Sequence, residues 1–177
     1  MSKVNMFYEN YNFRGSYVEK VYALTQKIDS ESNADLFNSN VELFIFASLV
    51  GVLSSRKGQQ EKSPITTKIL AEQFIKHSNN LRLAFKFVIL ASEIDYPDPV
   101  TRLNKAFRNP ETEENYELFE QYMLGGINEL YEKLILSTNV RFEDYLTSVN
   151  KLISSLKVED DVEDFDDDLS TEDFFID

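Results

Sequence analysis

Apolar residues recur at three- and four-residue steps along most of this chain, the spacing of helices that bury one face. Val18, Val21, Tyr22 and Ile28 predict a helix over about Ser16–Ile28. Ser39-Asn40 reads as the cap of a second helix, about Val41–Leu53. Its apolar side chains fall nearly all round, so it should be central and buried. A polar connection follows, from Gly51 to Pro64. Residues 64–67 read as a short extended piece before a helix that begins near Thr67 and carries Ile69, Leu70, Phe74 and Ile75. Asn79-Asn80 punctuates the pattern ahead of an apolar helix over Leu81–Ile94. Asp95 to Pro99 is a turn, because each proline restricts the residue before it. Pro99 then suits the first turn of a short helix through Phe107.

The longest pattern opens at Asn109-Pro110-Glu111, with Pro110 at the first helical position and Glu111, Glu113 and Glu114 complementing the positive end of the helix. Tyr116, Phe119, Tyr122, Met123, Ile127, Leu130 and Leu134 form one stripe, and Gly125-Gly126 interrupts it. Glycine costs ~1 kcal/mol relative to alanine inside a helix. A close helix–helix approach or a kink would account for the pair. A final helix is expected over Phe142–Leu156. The fold class expected is mainly α: one compact domain of six or seven helices over residues 1–157, followed by an acidic segment over 158–177.

Composition narrows the chemistry. The chain has 177 residues, no Cys and a single His, which excludes disulfides, thiolate sites and multi-histidine metal sites. His77 reads as a basic side chain at a helix C-terminus. Glu93, Asp95 and Asp98 are the carboxylates a metal-dependent nuclease would draw on, but they fall in a turn after a helix, where solvated charge is the plainer reading. No phosphate-binding glycine loop, HExxH or GxSxG motif occurs. No catalytic, cofactor or metal site is therefore assigned, and an enzyme is not expected. No run approaches the ~18 consecutive apolar residues of a membrane span, and the first residues carry no apolar signal core. A cytoplasmic protein with no membrane partner is expected.

Charge changes the picture along the chain. The net charge is −13, yet Val158–Asp177 holds 11 of the 31 acidic residues and no Lys or Arg, which leaves residues 1–157 at −2. Seven basic and two acidic residues lie between Arg56 and Lys86, a segment of +5. Arg56, Lys57, Lys62 and Lys68 are the candidates there for binding a nucleic acid or an acidic partner. The acidic segment is interspersed with Phe165, Leu169, Phe174, Phe175 and Ile176, which suggests a docking peptide that charge steers and apolar anchors hold. Glu172–Asp177 broadly resembles the acidic-hydrophobic tips with which bacterial single-strand DNA-binding proteins recruit partners. Left alone, this segment should be disordered, since ordering costs ~1–2 kcal/mol per residue.

Two stretches carry a further resemblance. Asn38 to Gly58 (NSNVELFIFASLVGVLSSRKG) and Tyr116 to Leu134 (YELFEQYMLGGINELYEKL) resemble the two blocks of the Dnd system-associated protein 4 type. These are small accessory proteins encoded beside bacterial DNA phosphorothioation and related anti-phage defence genes. The likeness covers most of residues 35–136, and the acidic segment lies outside the pattern. It implies a defence component and transfers no catalytic residue. The expectation is thus a non-catalytic accessory subunit that binds a larger ATPase, SMC- or ABC-like, or a nuclease, with DNA contacted indirectly if at all. The alternative is a DNA-binding module that uses residues 56–86 and is masked by the acidic segment. Tyr8, Tyr11 and Phe13 read either as partner contacts or as packing of the N-terminal segment on its own core.

Overall fold

The computed structural model describes residues 6–27, 35–136 and 142–156, and over these the protein is mainly helical. Strand β1 (Tyr11–Arg14) leads into α1 (Ser16–Thr25) and then α2 (Asn40–Leu53). Strand β2 (Thr66–Ile69) is followed by α3 (Ala71–Lys76) and α4 (Ser78–Ala91). The chain ends its described part with α5 (Pro99–Leu103), α6 (Glu113–Leu130) and α7 (Phe142–Leu156). Turns of π-helix extend α5 over Asn104–Arg108 and α6 over Tyr131–Leu136.

Local chemistry sets these boundaries. The Ser39 hydroxyl accepts from the Glu42 amide at 3.3 Å and starts α2. Asp98 accepts from the amides of Val100 and Thr101, with Pro99 at the first helical position of α5. The long helix begins three residues later than the proline pattern suggests: Thr112 is its cap, accepting from the Asn115 amide at 3.2 Å, and Pro110 lies outside. There Pro110 offers its carbonyl to the buried Asn115 side chain at 2.9 Å. At the other end α1 stops at Thr25, short of Ile28. His77 is both the C-terminal cap of α3 and the N-terminal cap of α4, so α4 opens at Ser78 and takes Asn79 and Asn80 into its first turn.

The helix expected from Thr67 is displaced by pairing. Residues 66–69 are extended because they join Tyr11–Arg14 in an antiparallel ladder, with Tyr11 opposite Ile69 and Phe13 opposite Thr67. The alternation of the strands puts Tyr11, Phe13 and Ile69 into the core. Of the three N-terminal aromatics, then, Tyr11 and Phe13 are core and only Tyr8 is exposed. Phe7 sits edge-on to Phe74, Phe85, Tyr116 and Phe119, with ring centroids 5.7–6.0 Å apart, and ties the N-terminal turn to α3, α4 and α6.

The centre of the fold is the crossing of α2 on α6, which have more mutual contact than any other pair of elements. Glycines permit it. A methyl group on Gly51 would lie 1.8 Å from the Tyr122 carbonyl oxygen, and one on Gly126 would lie 1.8 Å from that of Ala47. The Gly125-Gly126 pair thus marks backbone-to-backbone approach, and α6 runs through it without a break. Around this contact Leu43, Phe44, Ala47, Phe119, Met123 and Ile127 are fully buried. Phe44 and Phe119 stack obliquely at 5.6 Å.

Gly126→Ala should force α2 and α6 apart, because a carbonyl oxygen cannot yield as a side-chain tip can. Overpacking of this kind reaches or exceeds the upper end of about 1–3 kcal/mol, against ~1 kcal/mol gained from the better helix former. We expect a net loss of stability, read as a lower urea midpoint at unchanged slope. An equal or higher midpoint would show that the crossing is not tight there.

Candidate functional site

The basic loop after α2 is held by the fold on which it lies. Arg56 donates its amide to the Gly51 carbonyl at 2.8 Å and Ser55 donates to Val52 at 3.1 Å, the paired bonds that close a helix C-terminus. The turn needs a left-handed residue, and Ser55 takes that place with φ of 51°. A non-glycine residue there costs ~1–2 kcal/mol of backbone strain. The chain then crosses α6. The Arg56 carbonyl oxygen would lie 1.9 Å from a methyl group on Gly125, and the Gly58 amide donates to the Gln121 carbonyl at 2.7 Å.

This path aims the two leading cations at carboxylates. The Arg56 guanidinium meets Glu129 at 2.6 Å and Glu132 at 2.5 Å, and Glu129 also takes Lys133 at 2.8 Å. The Lys57 ammonium pairs with Asp95 and lies 5.0 Å over the Tyr122 ring, while the Tyr122 hydroxyl donates to the other Asp95 oxygen at 2.6 Å. Burial raises the Tyr122 hydroxyl well above its ordinary value, and the bond to Asp95 adds to the shift. Burial alone would raise Glu129, but the bonds from Lys133 and Arg56 outweigh it and leave the carboxyl below the usual 4.5. Arg56 holds Glu132 below it as well.

The four cations singled out in the sequence are therefore not one patch. Arg56 and Lys57 serve α6 and the turn at Asp95. Lys62 and Lys68 are exposed, Lys62 beside Arg14 in a shallow depression and Lys68 on β2. Asp98, a candidate carboxylate in the turn, is consumed as the cap of α5, and Glu93 reaches Arg102 at 3.2 Å. Among the described residues no three His, Asp or Glu side chains converge in a way that could hold a metal ion. No described helix is long and apolar enough to cross a membrane. Phe165, Leu169, Phe174, Phe175 and Ile176 lie outside the described residues.

Around Gln60 is a second, half-buried polar cluster. The Tyr11 hydroxyl donates to Glu120 at 2.8 Å, and the Gln60 amide group donates to the Tyr11 oxygen at 3.1 Å and to the Asn12 carbonyl at 2.9 Å. Glu61 takes the Ser16 amide at 2.8 Å and its hydroxyl, anchoring the far end of the loop on α1.

Two surface features carry no signal strong enough to pick out from spacing. The first is a groove of about 300 Å³ between the N-terminal turn, α3, α4 and the approach to α6. Phe74, Phe85 and Tyr116 line its interior and the exposed Tyr8 and Ile75 its sides, with Arg82, Lys86 and Glu111 also around it. Burial, with the nearby Glu111 carboxylate, pushes the Tyr116 hydroxyl up to about 12, so the ring is neutral. The second is the region from α4 through α5. Leu83, Phe87, Ile94, Val100, Leu103 and Phe107 are each 40% or more exposed. Lys86 covers the Phe107 ring at 5.0 Å. A residue-by-residue pattern hides both, because each gathers side chains from separate elements.

Comparison with family models, with curated proteins and with solved structures finds no match to the chain.

The ion cluster makes a pH-dependent contribution. Glu129 and Glu132 have folded values below 4.5, so their stabilisation is complete above that pH and is lost as pH falls through the folded values. Arg56→Met should cost about 1 kcal/mol at neutral pH, discounted for the water that reaches Arg56. The stability curves of wild type and R56M should separate above pH 4.5 and converge in stronger acid. Curves parallel across that range, by denaturant titration, would show that Arg56 is not what holds these carboxyls ionised.

Proposed function

We propose that the protein is a non-catalytic accessory subunit of a multi-component bacterial anti-phage defence complex, which docks on a larger ATPase or nuclease and regulates or positions it. The observation that carries this reading is the run of outward apolar side chains from α4 through α5. Six large ones stand exposed within residues 83–107. Exposed apolar surface gathered in this way is typical of protein–protein contact. The likeness of residues 38–58 and 116–134 to the Dnd-associated accessory type supports a defence setting. A lone imidazole and the absence of cysteine support a role in binding and placement.

A direct DNA-binding role is less well supported. Such binding draws on cations free to replace phosphate counterions. Arg56 and Lys57 already have carboxylate partners, and the other cations of residues 56–86 are spread over the loop, β2, α3 and α4 instead of forming one patch.

Co-expression with the products of neighbouring genes tests the proposal. A stoichiometric complex should elute as one species, and Leu83→Asp combined with Phe107→Asp should dissolve it while leaving the helical content of the subunit unchanged. Elution of the wild-type chain alone, or a complex indifferent to L83D/F107D, would overturn the reading.

A further inference from the structure

The groove beside α4 is unlike that docking region in chemistry, although the two share Lys86, which borders the groove and lies over the Phe107 ring. It is a slot, at the lower end of the ~300–1,000 Å³ typical of ligand sites. That is room for a few large side chains of an extended peptide. Its interior is aromatic, and two cations, Arg82 and Lys86, border it from α4, with Lys76 exposed on α3 next to Ile75. Arg82 and Lys76 make no ion pair among the described residues, in contrast to Arg56 and Lys57. Glu111 stands on the α6 side, exposed to water, and makes the groove electrostatically two-sided.

A ligand that fits must be apolar at its centre, aromatic by preference and acidic along one flank. The chain itself carries such a peptide. Glu172-Asp173-Phe174-Phe175-Ile176-Asp177 places three large apolar residues between carboxylates, in a stretch of 20 residues without one cation.

We propose that Phe174, Phe175 and Ile176 of the same molecule occupy this groove, with the flanking carboxylates on Arg82, Lys86 and Lys76. The reach suffices. Ser155 near the end of α7 lies against Lys133 at 3.2 Å, and Lys133 is 17 residues along the α6 helix and its extension from Tyr116, about 26 Å at 1.5 Å per residue. The 18 residues from Leu156 to Phe174 span up to about 60 Å when extended. Tethering raises the local concentration of such a peptide to the millimolar range, so a modest intrinsic affinity fills the groove. The contact is self-occupancy of an acidic-peptide site, and a partner with a stronger acidic-aromatic motif would have to displace it. It does not depend on the docking region from α4 through α5.

The chain contains no tryptophan, so Phe175→Trp in the full-length protein is a sole reporter. Its emission should be blue-shifted and shielded from acrylamide, equally at high and low protein concentration. Arg82→Glu with Lys86→Glu in the same background should abolish the blue shift, and high salt should weaken it. Water-exposed emission from the single variant would overturn the proposal. So would a blue shift lost on dilution, which places the segment on a second copy, or one indifferent to R82E/K86E, which places it elsewhere. Hydrogen exchange of the unlabelled full chain gives an independent reading: F174A/F175A/I176A should lose protection across residues 74–86. Unchanged protection there would overturn the proposal whatever the behaviour of the charge-reversed protein.

Discussion

Everything in this fold is arranged around one place where two helices touch through their backbones. Gly51 and Ala47 on α2 meet Tyr122 and Gly126 on α6 with no room for a further carbon atom. At such range the ridges of one helix enter the grooves of the other, and dispersion contacts are made by main chain as well as side chain. On α2 the small residue also fixes the register, since Gly51 is flanked by Val50 and Val52 and a slip by one position would bring a larger side chain into the gap. The same step on α6 admits the loop that follows α2, which passes over Gly125. One pair of adjacent glycines therefore accommodates two different segments.

That loop shows why a count of charges misleads. Read along the chain, residues 56–86 are strongly basic and residues 87–157 acidic. In space the first two cations of the basic stretch meet Glu129, Glu132 and Asp95 of the acidic one. The asymmetry is thus partly internal, an attraction between the end of α2 and the far half of the domain. Exposed pairs of this kind contribute little each, but Glu129 is buried enough to make its partners matter. The cations left over are scattered, with Lys62 on the loop, Lys68 on β2, and the others on α3 and α4.

The helices were legible where period, cap and length agreed. Ser39 before an apolar run and Pro99 after Asp98 supply start signals, and the stripe from Phe142 to Leu156 supplies sustained spacing. The small sheet was legible only in part: residues 64–67 read as extended, but the strand's extent to Ile69 and its pairing are defined by Tyr11–Arg14, some fifty residues earlier. The close approach at Gly125-Gly126 could be suspected from the cost of glycine in a helix, yet its partner could not be named. Candidate site residues fared as their environments dictate. The excess of cations at Arg56 and Lys57 was visible, whereas their neutralisation depends on a long-range turn that only tertiary structure supplies.

The α2–α6 contact also has a timetable. Synthesis of the chain delivers α2, the most uniformly apolar helix, 75 residues before Gly126 leaves the peptidyl-transferase centre. At ribosomal speeds of about 5–20 residues per second this is a wait of roughly 4–15 s. During it Phe44, Leu43 and Val50 have no α6 to cover them. A nascent polypeptide in that condition is a natural client for chaperones, and premature truncation anywhere before α6 would leave a sticky fragment in place of a smaller folded one.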